Sequence, residues 1–316
     1  MNQPYMLRFD GPVDEALVRR TLRTMLTAFP RMRGVINPGI VRYHLRILPD
    51  DAHADLLFDD AYRIQPGIDP TDTAALQAFH GPFLNEPMPL ERGLPWRARF
   101  FPHPTQPALM FSMHHIMGDG RSMVQLMSAI MAGLNGRPIT PCPLESPSML
   151  PAVLPKRWPE WPASISAWWR TLQADKQAAR GQRVLSLATH RATEFAPTTV
   201  HYKTLGTSAK GLRELSKSLN TTSNTLLTAL IAQTFLAMAP NDPQAVAAIR
   251  ISVDLRRYFP EGQAPQFGNH VATFVVRATH QPSLAQQIAS LDAQVKAGLA
   301  RLERREQALP LLLYEW

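Results

Sequence analysis

The sequence predicts an α/β fold made of two similar layered halves. Three observations carry this expectation. Segments that alternate apolar and polar side chains, as half-buried strands do, recur between segments whose apolar residues fall three and four apart, as on one helix face. The 316 residues are 45% hydrophobic and 18% charged, which is enough apolar material for one large domain or two. Residues 138–163 hold eight prolines and interrupt the pattern. They divide the chain into an N-terminal lobe over 1–140, a Pro/Trp-rich connection and helix over 141–198, and a C-terminal lobe over 199–316.

The elements follow in order. Residues 5–9 (YMLRF) read as a strand. Asp14 then opens a helix in which Leu17, Leu22, Met25, Leu26 and Phe29 recur at helical spacing, and Pro30 ends it. Residues 41–48 alternate as a strand, and 97–101 and 108–113 form two more, joined by the turn-rich PHPTQP. After Asp119 and Gly120, the residues Met123, Met127, Ile130, Met131 and Leu134 share one helix face. Trp158, Trp161, Trp168 and Trp169 follow the proline run, a cluster that suits either a seam between domains or a membrane-interface patch. Beyond it, 199–205, 246–253 and 271–277 read as strands, and 208–219, 222–238 and 283–305 as helices.

Composition narrows the function. Cys142 is the one cysteine, so there is no intrachain disulfide and no cysteine metal cluster. The N-terminus carries Asp10, Asp14 and Glu15 where a signal peptide needs an apolar run, and no stretch approaches the roughly 20 apolar residues of a membrane span. A soluble cytoplasmic protein is expected. The net charge of +8 raises nucleic acid as a partner. The Lys and Arg residues are scattered, however, and the densest group, Arg301, Arg304 and Arg305, is broken by Glu303 and Glu306, so none is expected. A basic surface equally suits coenzyme A, an acidic carrier protein, or no specific partner. With no Gly-rich phosphate loop and no dinucleotide fingerprint, no tightly held cofactor is expected.

One segment carries chemistry: Phe111-Ser112-Met113-His114-His115-Ile116-Met117-Gly118-Asp119-Gly120. It puts two histidines and an aspartate between an apolar strand and an apolar helix, where a turn presents side chains from a backbone held on both sides. Histidine is the side chain best suited to take a proton near neutral pH. Asp119 can be held by a buried cation, and Gly120 allows a backbone shape that a Cβ would block. A metal site fits poorly, because adjacent strand residues point apart and a two-His, one-carboxylate site is spaced differently. On these residues alone a purely structural histidine pair stays open beside the catalytic reading. Met113, Met117 and Met123 suit an adaptable apolar pocket or, equally, a core.

The pattern resembles the superfamily of chloramphenicol acetyltransferase, nonribosomal-peptide condensation domains, plant acyl-CoA acyltransferases and bacterial alcohol acetyltransferases. His114, His115, Asp119 and Gly120 match its HHxxxDG signature. Pro89 to Ala98 (PLERGLPWRA) looks like the segment before its paired strands, and Leu7 to Arg33 has the form of its N-terminal strand and long helix. Thr222 to Leu230 is similar to its buried helix. Ile251 to Pro260 (ISVDLRRYFP), followed by Phe267-Gly268-Asn269, looks most like the alcohol-acetyltransferase branch.

The resemblance implies two chloramphenicol-acetyltransferase-like lobes of mixed sheets with flanking helices and a tunnel between them that holds the active histidine. By the match, His115 is the general base for attack of an alcohol or amine on an acyl-CoA or acyl-pantetheine thioester. His114 orients the loop, Asp119 holds the turn through a buried salt bridge with Arg97, and Gly120 gives the donor room. Asn269 is a turn residue closing a strand. Relatives continue past Arg305, whereas this chain stops at a closing apolar run over 309–316, so the second lobe is expected to be incomplete. The leading expectation is an acyl-CoA-dependent O-acyltransferase. A condensation-type domain using a carrier protein, and a non-catalytic homologue, stay as alternatives.

Overall fold

The computed structural model describes residues 2–39, 43–146, 148–185, 199–204 and 206–308. The chain divides into two compact units, one comprising Met1–Pro147, Glu194–Lys203 and Pro265–His270, the other Ser148–Thr193, Thr204–Ala264 and Val271–Trp316.

The first unit contains β1 (Asn2–Arg8), α1 (Glu15–Ala28), β2 (Gly34–Pro38), β3 (Tyr43–Ile47), α2 (Ala52–Ala61), β4 (Tyr62–Ile64), α3 (Thr73–Asn85), β5 (Trp96–Phe101), β6 (Ala108–His114) and α4 (Gly120–Leu134). Its sheet has the order β1-β6-β5-β4, with β4 parallel to β5 and the other pairs antiparallel. β2 and β3 pair separately. The Asp14 carboxylate accepts from the Ala16 and Leu17 amides, so α1 starts where the sequence predicts. Val18, Leu22, Met25 and Leu26 of α1 and Met123, Leu126, Met127 and Ile130 of α4 share one core. The α4 stripe therefore runs through Leu126, and Met131, expected on that face, is exposed.

Strand alternation sorts β5 and β6 between two cores. Trp96, Ala98 and Phe100 with Leu109, Phe111 and Met113 face the α1/α4 side. Phe101, Ala108 and Met110 face Leu76 and Phe83 of α3. Trp96 anchors the first core: its ring stacks on Phe111 at 5.5 Å, and its indole N–H donates to the Met32 carbonyl at 3.0 Å. The strand expected at 199–205 is not one over its described residues. The Tyr202 amide donates to the Gln77 side chain at 2.9 Å, and the Tyr202 hydroxyl meets His80 Nδ1 at 2.6 Å, so this segment is tied to α3 by side chains instead of a ladder.

The second unit contains α5 (Leu150–Val153), α6 (Trp161–Ala178), β7 (Arg183–Val184), α7 (Ala209–Ser218), α8 (Ser223–Leu236), β8 (Ala245–Asp254), β9 (Val271–Ala278) and α9 (Leu284–Glu303). The sheet order is β7-β8-β9. Ser208, Thr222 and Ser283 cap α7, α8 and α9. Leu226, Ala229 and Ala232 of α8 share a core with Val253, Phe274, Val276, Ile288 and Leu291. Trp158 and Trp169 are exposed. The closing apolar run at 309–316 lies outside the described residues. Among the described residues no helix is long and apolar enough to cross a membrane. The architecture is the mixed α/β arrangement of sheets with flanking helices that the sequence predicts.

Trp96→Ala removes the largest side chain of the first core and leaves the Met32 carbonyl without its donor. Loss of about 3–5 kcal/mol is expected by denaturant unfolding; a loss below about 1 kcal/mol would contradict this packing.

Candidate active site

The HHxxxDG turn is pinned at both ends. At its start the His114 amide donates to the Pro95 carbonyl at 2.8 Å, and the Met117 amide closes the turn on the His114 carbonyl at 3.0 Å. At its end Asp119 becomes the N-cap of α4. One carboxylate oxygen accepts from the Ser122 amide at 2.9 Å and the Ser122 hydroxyl at 3.0 Å. The other accepts from the His270 amide at 3.0 Å. At 1% exposure, Asp119 is a buried carboxylate whose charge is met by these donors.

The donor from His270 reveals a partner that sequence spacing concealed. Residues 265–270 belong to the first unit although their neighbours on both sides belong to the second. The Asp119 amide and the Ser122 hydroxyl both donate to the Gly268 carbonyl, at 3.2 and 2.8 Å, and the Gly268 amide donates back to the Ser122 oxygen at 3.0 Å. Gly268 holds φ at +142°, and a Cβ there would stand 2.7 Å from the His270 ring, so a side chain at this position is strained. Upstream, one Glu145 carboxylate oxygen accepts from the Gln266 and Phe267 amides at 2.6 and 3.2 Å, while the buried Arg31 donates to the Glu145 carbonyl at 2.8 Å. Phe267 sets its ring edge against Phe29. Ser122, Glu145, Gly268 and His270 were not singled out from sequence as site residues. The Phe267-Gly268-Asn269 segment belongs to the family resemblance, but its spacing from Asp119 gives no sign of what it touches.

The two histidines differ. The His115 side chain is half-exposed, and no hydrogen bond or ion pair holds its ring among the described residues. His114 Nδ1 accepts from the Ile116 amide at 3.3 Å, which requires an unprotonated Nδ1. Burial first, then neighbouring positive charge including His115, pushes the His114 pKa down to about 4, so His114 is neutral near pH 7. Met113, Met117 and Met123 are all buried in the α1/α4 core, where the core reading accounts for them.

Two expectations are corrected. Arg97 does not pair with Asp119. Strand alternation sends its side chain to the α3 face, where the guanidinium meets the Glu86 carboxylate at 3.1 Å, donates to the Phe83 and Glu86 carbonyls, and lies 4.9 Å from the Phe83 ring centre. The backbone need for glycine also falls elsewhere than Gly120, which begins α4 as an exposed residue with nothing within 4 Å of where a Cβ would stand. The close approach is at Gly118, where a Cβ would lie 2.8 Å from Ser122 Cβ.

Comparison with known proteins bears on the family and the fold. Residues 1–308 match the family model described as "Condensation domain". Over 153 residues, 46% of this chain, the sequence is 28% identical to polyketide synthase PksN of Bacillus subtilis (strain 168), of whose length the match covers 2%. The chain thus spans a small fraction of that relative. Among solved structures, the first condensation domain of the CDA synthetase is similar with a TM-score of 0.70 at 16% identity, over 96% of this chain and 70% of that one. SgcC5 from Streptomyces globisporus, in complex with (R)-(−)-1-(2-naphthyl)-1,2-ethanediol and sucrose, is similar with a TM-score of 0.65 at 13% identity, over 98% and 69%. At these identities the structural likeness is one of fold.

Because folding depresses the His114 pKa, the unfolded chain takes up a proton between pH 6.5 and about 4 that the folded chain refuses. The stability due to this group is complete above pH 6.5 and declines as pH falls toward 4. Urea midpoints measured from pH 7 to 5 should drop less steeply in His114→Gln than in the wild type; equal slopes would contradict a buried neutral His114.

Proposed function

The chain belongs to the condensation-domain family, and we propose that it moves an acyl group from a carrier-bound pantetheinyl thioester to a hydroxyl or amine acceptor, with His115 as the general base. The observation that carries this reading is the state of His115: a half-exposed ring with no hydrogen bond or ion pair to a described residue, on a turn pinned at both ends. A base must be held in place and still offer a nitrogen to the acceptor.

A His115 ring nitrogen accepts the proton of the acceptor O–H or N–H as that oxygen or nitrogen attacks the thioester carbonyl carbon. The new C–O or C–N bond yields a tetrahedral oxyanion. Its collapse breaks the C–S bond, and the sulfur leaves as the thiol after taking the proton back from the imidazolium. The thioester is already activated, so no covalent acyl-enzyme is needed. Asp119 holds the turn and takes no part in proton transfer, neutral His114 orients the loop, and the open space beside Gly120 leaves room for the donor at the start of α4.

The likeness to a polyketide synthase and to a condensation domain of a synthetase favours a carrier-bound donor over free coenzyme A. An acidic carrier suits a chain of net charge +8. A hydroxyl acceptor is favoured over an amine by the alcohol-acetyltransferase-like segment at 251–269, and the diol bound by SgcC5 points the same way. Transfer from acyl-CoA to an alcohol is the second reading, since coenzyme A carries the same pantetheine arm.

Thiol release should be measured with an acetyl-pantetheinyl carrier and with acetyl-CoA, each against a panel of alcohols and amines. His115→Ala is expected to lower acceptor-dependent release by about 10²–10⁴-fold; unchanged turnover would sink the assignment of the base. Release from the carrier with none from acetyl-CoA supports the condensation reading. The reverse supports the O-acyltransferase. Thioester binding with no His115-dependent turnover from either donor would mark a non-catalytic homologue.

A further inference from the structure

We infer that Ser122 is a positioning residue for His115, acting by fastening residues 265–270 to the end of the histidine turn, a role that rests on His115 being the base. His115 has no hydrogen bond of its own among the described residues, so the aim of its ring is set by the backbone of the turn. That backbone is fixed at two places. The first is the sheet, through His114 and Pro95. The second is the start of α4, and Ser122 stands at its centre.

Ser122 is fully buried. Its one hydroxyl proton is shared between an Asp119 carboxylate oxygen at 3.0 Å and the Gly268 carbonyl at 2.8 Å, while its oxygen accepts the Gly268 amide at 3.0 Å. The Asp119 amide reaches the same Gly268 carbonyl, and the His270 amide reaches the same Asp119 carboxylate. Ser122 therefore closes a ring of hydrogen bonds in which both the backbone and the side chain of Asp119 are tied to Gly268 and His270. The fit is tight, because Gly118 approaches so closely that a Cβ there would stand 2.8 Å from Ser122 Cβ. Alanine at 122 would keep the packing and open the ring. Gly268 would lose the Ser122 hydroxyl at both its amide and its carbonyl, while the Asp119 amide to Gly268 and the Ser122 and His270 amides to the Asp119 carboxylate remain, so the end of the turn carrying His115 would be held by fewer bonds.

The test compares wild type, Ser122→Ala, His115→Ala and the double variant, with an acetyl-pantetheinyl carrier as donor and the alcohol that wild type uses best. Ser122→Ala is expected to lower kcat by about tenfold or more while the donor KM stays within about twofold. In the His115→Ala background the same change should alter the residual rate by less than about twofold, because its effect passes through His115. Equal losses in both backgrounds would overturn the inference in favour of a general structural role. A readout independent of turnover is the His115 ring signal by NMR, expected to be single in wild type and broadened or split in Ser122→Ala. An unchanged signal overturns the inference and leaves the base assignment standing. Full turnover by His115→Ala defeats the base assignment, and the NMR comparison still decides whether Ser122 orders the ring. Should the alanine variant fail to fold, Ser122→Cys keeps the shape with weaker hydrogen bonds, and an intermediate loss is expected.

Discussion

The buried carboxylate of Asp119 is the constraint on which the rest of the site depends. A carboxylate at 1% exposure is tolerated only where donors replace water, and here the Ser122 amide, the Ser122 hydroxyl and the His270 amide do so. Hydrogen bonds to a charged group are worth about 1.5–3 kcal/mol each. Two of these donors come from the first turn of α4, which caps the helix and fixes where the histidine turn ends. The third comes from a segment about 150 positions later in sequence, so one side chain joins parts of the chain that share no local relation.

The division of labour between the histidines follows from the same geometry. His114 closes β6, donates its amide to the Pro95 carbonyl, accepts the Ile116 amide at Nδ1, and is held neutral by burial. It serves the backbone of the turn. His115, one residue further, leaves the sheet, and its ring has no hydrogen bond or ion pair to a described residue. One histidine is consumed in building the turn, and the ring of the other has no hydrogen bond to a described residue, the arrangement that the proposed base needs.

Much of this was legible in the sequence. The α1 cap at Asp14, the β5–β6 pair, most of the α4 stripe and the order α7-α8-β8-β9-α9 follow from periodicity and capping, which are local. The elements β2, α2, β4, α3, α5 and β7 do not show in the sequence pattern. β4 has three residues, too few for a period, and β2 ends in proline. α3 carries Gly81-Pro82 inside it, a sequence that reads as a break, yet the helix continues to Asn85 because its far side packs Leu76, His80 and Phe83 inward. α2 has a short stripe of Ala54, Phe58 and Ala61 among four acidic or polar neighbours. The site was legible where it is contiguous, from His114 to Gly120, and illegible where it is assembled. A single sequence gives no sign that Gly268 and His270 close on Asp119, and strand alternation, applied to β5, would have warned that Arg97 leaves on the α3 side with Glu86.

The proposed function requires that a thioester carbonyl be attacked beside the His115 ring. A crystal structure of the chain with a non-hydrolysable thioether analogue of an acyl-pantetheine arm, soaked with an alcohol, tests this most directly. The acyl carbon of the analogue is expected beside the 114–119 turn, with the alcohol oxygen within about 3 Å of a His115 ring nitrogen. An analogue that binds in order with its acyl end away from that turn, and His115 facing only solvent, would contradict it.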